Sequence, residues 1–174
     1  MTHPHEVETF LRTWEAEAQN AIRTMESISA DKYDFRPDPK GRSIGEMAWH
    51  LCEIDGCTSY GVVERRFDPS DELPELKRPK EAHLLAPGFR RVHELALERL
   101  SNLKPHELDE KVTYFDGTPM TIRDVLWYGM LHHLIHHRAQ LVLLIRQSGG
   151  TPPGIYGPNR EEMQAMKEKM SAKA

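Results

Sequence analysis

Apolar residues recur at intervals of three and four through four long stretches of the chain, a spacing typical of amphipathic helices. These stretches cover about residues 5–28, 44–66, 81–103 and 122–147. Proline- and glycine-bearing polar segments separate them, and such segments break helices and form connections. The pattern therefore predicts four major helices packed into one all-α bundle.

Short-range signals mark where several of these elements begin and end. Ser43 followed by Glu46 has the spacing of a capping box, and Thr121 with Asp124 has that of a helix cap. Residues 148–150, Ser-Gly-Gly, form a natural stop for the fourth helix. These signals place the second helix at Ile44 and the fourth at Ile122.

Two further segments lie outside the four helices. The stretch "LDEKVTYFDGTPM" alternates briefly around Asp116-Gly117, which predicts an extended excursion with a tight turn. The charged tail "EEMQAMKEKMSAKA" has a helix-forming composition but little to bury. We expect this C-terminal tail to be helical only when it docks against the bundle.

Length and charge restrict the classes of function. A chain of 174 residues can bury a core of its own, so we expect a single domain covering residues 1–174. Lys and Arg total 23 against 27 Asp and Glu, and this balance offers no basic surface for nucleic acid. No run of eighteen apolar residues and no signal peptide is evident, so we expect a soluble cytoplasmic protein without a membrane partner.

The two cysteines give no sign of redox or metal chemistry. Cys52 and Cys57 are five positions apart in one predicted helix and point to different sides, which disfavours a disulfide or a shared metal ion. We interpret them as small apolar filling residues. Of the ten histidines, His3 and His5 lie at the N-terminus and need no explanation beyond solvent exposure.

The candidate chemistry lies in "HHLIHHRAQ", residues 132–140, which carries four histidines in the most apolar helix. On a helical wheel His133 and His137 fall within the apolar arc, whereas His132 and His136 fall at its margin or beyond. Gln140 lies on the side of the inward pair, where it would position a ligand or substrate. The adjacent Arg138 points elsewhere.

The same construction turns His50 of the second helix toward the core. Two histidines four positions apart on one helix, with a third from another helix, would suit a divalent ion that keeps positions open for substrate. Two alternatives remain open at this level. The inward histidines could be hydrogen-bonded core residues, or His132 and His136 could form the functional pair.

Two familiar metal sites do not fit the pattern. A ferritin-like di-iron centre needs inward glutamates on several helices, and the fourth helix supplies none. The zinc protease motif H-E-x-x-H is missing, since "HLIHH" has no glutamate in the second position. Glu46 and Glu53 flank His50 and are candidate general bases, although solvated or capping roles are more common for such residues. The pattern assigns no role to the three tyrosines Tyr60, Tyr128 and Tyr156.

The segments "RSIGEMAWHL" and "HHLIHHRAQLVLLIRQSGGTPPGIYGP" resemble the DinB/YfiT-like family of metal-dependent enzymes. The resemblance spans nearly the whole chain and includes an H-x-x-x-H-R-x-Q signature. Carried over by motif, the ligand positions are His50, His133 and His137, and Ala139 stands where the family usually has glycine. The resemblance implies a four-helix bundle of crossed-over connectivity, with an additional C-terminal helical tail here.

The resemblance also implies a zinc, nickel or similar divalent ion and a homodimer, and Leu131, Ile135 and Val142 are candidates for the dimer contact. Burial within the chain's own bundle is the alternative for these three residues. Three functions for the metal site remain open. The first is a transferase that activates a low-molecular-weight thiol such as bacillithiol for S-transfer to a small molecule. The second is a hydrolase that uses water as the nucleophile, and the third is a noncatalytic, stress-associated bundle.

Overall fold

The computed structural model describes residues 5–172, and His3 lies outside this range. Its helices are α1 (Glu6–Glu26), α2 (Ile44–Glu64), α3 (Leu85–Leu100), α4 (residues 122–147) and α5 (Arg160–Ser171). A single hairpin of two short strands, β1 (Lys111–Thr113) and β2 (Pro119–Thr121), precedes α4 in the described range. The four predicted helices and the extended excursion are therefore confirmed.

The connectivity of the bundle is crossed over. Helix α2 packs extensively against both α3 and α4, and α1 packs against the same two helices. Consecutive helices α1 and α2 therefore lie across a diagonal of the bundle, as do α3 and α4. A connection of twenty residues between α2 and α3, containing short 3-10 turns, accommodates this arrangement.

Helix ends follow the local signals in the sequence. The Ser43 hydroxyl accepts from the backbone N–H of Glu46, and the Glu46 carboxylate accepts from the backbone N–H of Ser43. The Thr121 hydroxyl likewise accepts from the backbone N–H of Asp124 at 3.1 Å. Both caps satisfy amide groups that the first helical turn leaves without partners, and they fix where the helices begin.

Helix α4 is not uniform, which the wheel did not anticipate. After one α-helical turn, Val125–His132 is π-helical, and the regular α-helix occupies only His133–Gln147. The uniform 100° rotation used for the wheel is therefore wrong before His133. Leu126 and Met130 are nevertheless buried and belong to the hydrophobic core.

A polar cluster lies inside the core where α1, α2 and α3 meet. Asp55 is fully buried and accepts from Trp14 Nε1 at 3.0 Å, and its second oxygen is 2.8 Å from His93 Nδ1. The His93 ring is also buried and lies edge-on to Trp14. This cluster joins three helices by hydrogen bonds. The spacing of apolar residues in the sequence did not predict it.

The C-terminal tail is the helix α5, none of whose described residues is buried. Asn159 caps it, with Glu162 completing a capping box. Arg146 of α4 donates two hydrogen bonds to the carboxylate of Glu161, at 2.9 and 2.7 Å. The tail is thus attached to the bundle through polar contacts.

The dimer candidates differ in burial. Leu131 is 2% exposed and belongs to the chain's own core, so its assignment to a dimer contact is wrong. Ile135 is partly buried against the same core, and Val142 is also partly buried. Both cysteines are free, as expected. Within residues 5–172 we find no helix with the length and apolarity needed to cross a bilayer.

Candidate metal centre

The three inward histidines come together at the interface between α2 and α4. His50, His133 and His137 each offer one ring nitrogen, and these atoms lie within 4.8 Å of one another. The ring of His50 is centred 5.5 Å from that of His133 and 4.6 Å from that of His137. All three side chains are partly buried, so the group is shielded yet reachable from solvent.

Each of the three rings has an acceptor at Nδ1. His50 Nδ1 is 2.8 Å from a Glu53 carboxylate oxygen, and His137 Nδ1 is 2.7 Å from Oε1 of Gln140. His133 Nδ1 is 3.3 Å from the carbonyl oxygen of Gly129. Because carboxylate and carbonyl oxygens only accept, Nδ1 carries the proton in each ring. The Nε2 lone pairs are then free to bind a cation.

The distance between two of these nitrogens fits a cation held between the rings. Nε2 of His133 lies 2.9 Å from Nε2 of His137. Two neutral rings protonated at Nδ1 present only lone pairs to each other, and such an approach is repulsive unless a cation or a proton lies between them. The donor set therefore fits a divalent ion held by imidazole nitrogens.

Burial also favours the neutral, ligating form of the α4 histidines. Burial, together with the nearby histidines, lowers the pKa of His137 to about 4, although the hydrogen bond to Gln140 acts in the opposite direction. Burial likewise lowers the pKa of His133. Both rings are therefore neutral at physiological pH, which a metal ligand requires.

The flanking histidines of "HHLIHHRAQ" lie outside the group. His132 is exposed and its ring is 5.2 Å from that of Tyr128. His136 is also exposed, and its Nε2 accepts from the amide of Gln140 at 3.0 Å. The Gln140 side chain thus bridges His136 and His137, with its nitrogen toward His136 and its oxygen toward His137.

Arg138 points away from the histidines, as the wheel predicted. It is 3% exposed, and its guanidinium contacts the Glu17 carboxylate at 2.5 Å and the Tyr156 hydroxyl at 2.6 Å. The Tyr156 hydroxyl in turn donates to Glu17 at 2.8 Å. This network ties α4 to α1 and to the segment after α4, and it gives Tyr156 a structural role.

The two candidate bases of α2 are already engaged. Glu46 completes the capping box and lies 3.0 Å from Arg36, with Arg78 also nearby. Glu53 is the acceptor for His50 and orients that ring. Neither carboxylate is a free base. Glu53 lies beside His50, as the spacing predicted, whereas the contacts of Glu46 are with Ser43, Arg36 and Arg78.

A cavity of about 420 Å³ opens beside His50 and His133. Most of its wall is apolar or aromatic, formed by Ile54, Pro69, Leu73, Leu76, Tyr114 and Phe115. Tyr114 and Phe115 belong to the hairpin, because they follow β1 directly. The sequence predicted the hairpin but gave no indication that it walls a cavity next to the histidines.

Gly129 links this wall to a ligand candidate. Its carbonyl oxygen faces His133 Nδ1 and also accepts from the Tyr114 hydroxyl at 3.2 Å. Gly129 lies in the π-helical part of α4, and such segments are frequent at functional sites. A side chain at Gly129 would come within 3.1 Å of the Tyr114 ring, so glycine permits the close approach.

The fold and the site define a helical-bundle protein whose three-histidine group could hold a metal ion. The chain belongs to the DinB family, whose model matches residues 1–170. The family match therefore extends beyond the two sequence motifs to nearly the whole chain.

Individual relatives agree with this assignment. The protein YrdA of Bacillus subtilis (strain 168) is 27% identical over 154 residues, covering 88% of this chain and 89% of YrdA. The crystal structure of a DinB-like protein from Bacillus cereus ATCC 10987 superposes with a TM-score of 0.72 at 26% identity, over 88% of this chain and 100% of that one. YjoA, a DinB-like protein of Bacillus subtilis, gives a TM-score of 0.67 at 22% identity, over 87% and 99% of the chains, and supports the fold.

Proposed function

We propose that this protein is a metal-dependent S-transferase that joins a low-molecular-weight thiol, through its sulfur atom, to a small electrophilic molecule. In this proposal His50, His133 and His137 bind a divalent ion, zinc or nickel, through their Nε2 atoms. The observation that carries it is the convergence of these three nitrogens beside an open cavity. Three protein ligands leave coordination positions for a substrate, as catalytic sites require.

The ion in this position would supply positive charge that stabilises a thiolate over a thiol. The chain's own residues hold the ligands ready for it. Glu53, Gln140 and the Gly129 carbonyl keep the Nδ1 protons in place, so that Nε2 of each ring faces the centre. The α4 rings need not lose a proton first, because burial already lowers the pKa of His137 to about 4.

The overall step is a substitution at an electrophilic carbon. The thiol loses its proton to solvent, and its sulfur forms a bond to the carbon of the second substrate. The bond between that carbon and its leaving group breaks, and the leaving group departs with the electron pair. Neither oxidant nor reductant is consumed, so the reaction needs no further cofactor.

The arrangement of carboxylates favours thiol transfer over hydrolysis. Hydrolysis at a metal centre benefits from a general base within hydrogen-bond reach of the attacking water. Glu46 is engaged in its cap, and Glu53 is engaged with His50. A thiol is far more acidic than water, so its activation does not depend on such a base.

Elemental analysis of purified protein tests the site. We expect one divalent ion per chain in the native protein and a loss of that ion in His133→Ala. His132→Ala is the matched control, since it removes an adjacent exposed histidine and should retain the metal. Equal metal content in the native protein and His133→Ala contradicts the assignment.

A conjugation assay tests the reaction. Loss of free thiol is followed with bacillithiol, cysteine or glutathione and an electrophile such as 1-chloro-2,4-dinitrobenzene, with metal-loaded and metal-stripped protein. We expect consumption of at least one thiol only with the metal-loaded form. No metal-dependent consumption with any of them, together with ester hydrolysis that His50→Ala abolishes, would assign the site to a hydrolase instead.

A further inference from the structure

The cavity beside the histidines has the size of a small-molecule site. Its volume of about 420 Å³ falls within the range of roughly 300–1,000 Å³ that ligand pockets occupy. His50 and His133 form part of its wall, so a molecule held there lies next to the candidate metal centre. The other residues of the wall therefore determine which kind of molecule can bind next to the candidate metal centre.

An aromatic cluster forms one side of the cavity. Phe67 lies beneath Tyr114 and Phe115, with both ring centroids 5.2 Å away, and Tyr114 and Phe115 are 5.0 Å apart. Phe67 is buried, whereas Tyr114 and Phe115 are partly exposed toward the cavity. Their contact with Phe67 holds the hairpin rings in place, so the wall is preformed.

The charges around the cavity are acidic. Within the described residues no lysine or arginine lines it, and Glu53 and Asp71 are its two carboxylates. Asp71 is paired with Arg66 at 2.7 Å, and Glu53 accepts from His50. Cys57 also lines it, and burial, followed by the charges of Glu53 and Glu75, raises the pKa of this thiol to about 11. Cys57 is therefore a neutral thiol at physiological pH and adds no nucleophile of its own.

We infer that this cavity binds the electrophilic co-substrate through an uncharged aromatic or branched apolar group, and that it rejects molecules carrying an anionic group there. The inference rests on the proposed function for the role of the bound molecule, but the binding preference follows from the wall alone. Burial of an apolar group against Phe115 and Leu73 supplies the binding energy. An anionic group held against this apolar part of the wall, away from the histidines, would lose its hydration, and no lysine or arginine among the described lining residues would replace it.

A matched pair of fluorescent probes tests this preference. N-phenyl-1-naphthylamine is uncharged, and 8-anilinonaphthalene-1-sulfonate has the same ring system with one added negative charge. Both are titrated into the protein, in metal-stripped and zinc-loaded form, and emission is recorded. We expect the uncharged probe to bind at least about tenfold more tightly in both forms, since a tenfold ratio needs only 1.4 kcal/mol.

Two variants locate the bound probe. Phe115→Ala removes a partly exposed ring of the wall and should weaken binding of the uncharged probe by about tenfold or more. Leu143→Ala removes an apolar side chain on α4 that is 57% exposed and does not line this cavity, so it should leave binding unchanged. Circular dichroism verifies that both variants are folded.

Equal affinity for the two probes overturns the inference, as does an unchanged affinity in Phe115→Ala. The result is independent of the test of the metal site. A protein that binds the uncharged probe through Phe115 but holds no metal refutes the proposed function and leaves the cavity's preference standing. A protein that holds metal but shows no preference between the probes refutes the cavity's preference and leaves the metal site standing.

Discussion

Glu53 accepts a hydrogen bond from Nδ1 of His50 at 2.8 Å, one helical turn along α2. The His50 side chain is 16% exposed and that of Glu53 is 48% exposed, so the carboxylate remains hydrated while it holds the ring. Carboxylate–histidine pairs of this kind orient metal ligands and increase their basicity. Glu53 is therefore a positioning residue for His50.

Replacing Glu53 should weaken metal binding without abolishing it. We expect Glu53→Ala to reduce zinc affinity by about 10- to 100-fold, the range found for such partners of metal-ligating histidines. Glu53→Gln keeps an acceptor for Nδ1 and loses only the charge, so its affinity should lie between those of Glu53→Ala and the native protein. Competition with a chelating dye measures both.

Glu64 provides the control for this experiment, because it lies on the same helix and is exposed. Glu64→Ala should bind zinc as the native protein does. If Glu53→Ala also binds zinc with native affinity, Glu53 does not support the site through His50.

The Gln140 amide plays the corresponding role for His137. We expect Gln140→Ala to lower zinc affinity by about tenfold or more, because His137 Nδ1 loses its acceptor and the ring can rotate. His136→Ala should have a smaller effect, since His136 only anchors the other end of the amide. Isothermal titration with zinc separates these effects, and Gln147→Ala, exposed at the end of α4, is the control.

A larger decrease in zinc affinity in His136→Ala than in Gln140→Ala contradicts this arrangement. It would mean that His136 contributes a ligand and that the pair of flanking histidines is functional. The exposure of His136 makes that outcome incompatible with the present geometry.

The helices were predictable because each exposes one side and buries the other over many residues. The caps at Ser43 and Thr121 fixed two helix starts within one residue. The phase of the wheel then selected His133 and His137, since both lie in the regular α-helical part of α4. His50 could be oriented in the same way because α2 is regular throughout.

The remaining parts of the site depend on contacts between segments that are distant in the sequence. The π-helical turns ahead of His133 have no periodic signature, and they bring the Gly129 carbonyl to both His133 and Tyr114. The cavity arises only when the hairpin and the connection before α3 close over α2. A pattern of local spacing contains neither relationship.

The buried pair Arg138–Glu17 should dominate the stability of the contact between α1 and α4. The Arg138 side chain is 3% exposed and that of Glu17 is 11% exposed. We expect Arg138→Met to destabilise the fold by about 3–5 kcal/mol, because Glu17 is then left as an unpaired buried charge. Urea unfolding measures this loss.

The double variant Arg138→Met/Glu17→Met distinguishes this cause from simple loss of packing. Replacing both charges with apolar groups removes the unpaired carboxylate, so the double variant should be more stable than Arg138→Met alone. A double variant that is less stable than either single one would show that the pair is a net source of stability. Metal content should be native in all three, since this pair points away from His133 and His137.

The attachment of α5 should depend on pH in a defined direction. The hydrogen bonds from Arg146, followed by those from Arg160, lower the pKa of Glu161 from 4.5 to about 2. A carboxyl group whose pKa is lowered in the folded state binds fewer protons there than in the detached tail between these two values. The stabilising contribution of the pair is therefore complete above about pH 4.5 and is lost as the pH falls toward 2.

Carboxyl ¹³C chemical shifts of Glu161 give a direct measurement. In the native protein we expect this group to remain ionised at pH 4, and α5 to keep its helical backbone shifts. In Arg146→Gln the pKa should rise toward 4.5 and the amides of α5 should exchange faster with solvent at neutral pH. Arg160→Gln, at a side chain that is 85% exposed, should raise the pKa less. A native pKa near 4.5, or one that Arg146→Gln leaves unchanged, would mean that this ion pair does not hold α5 against α4.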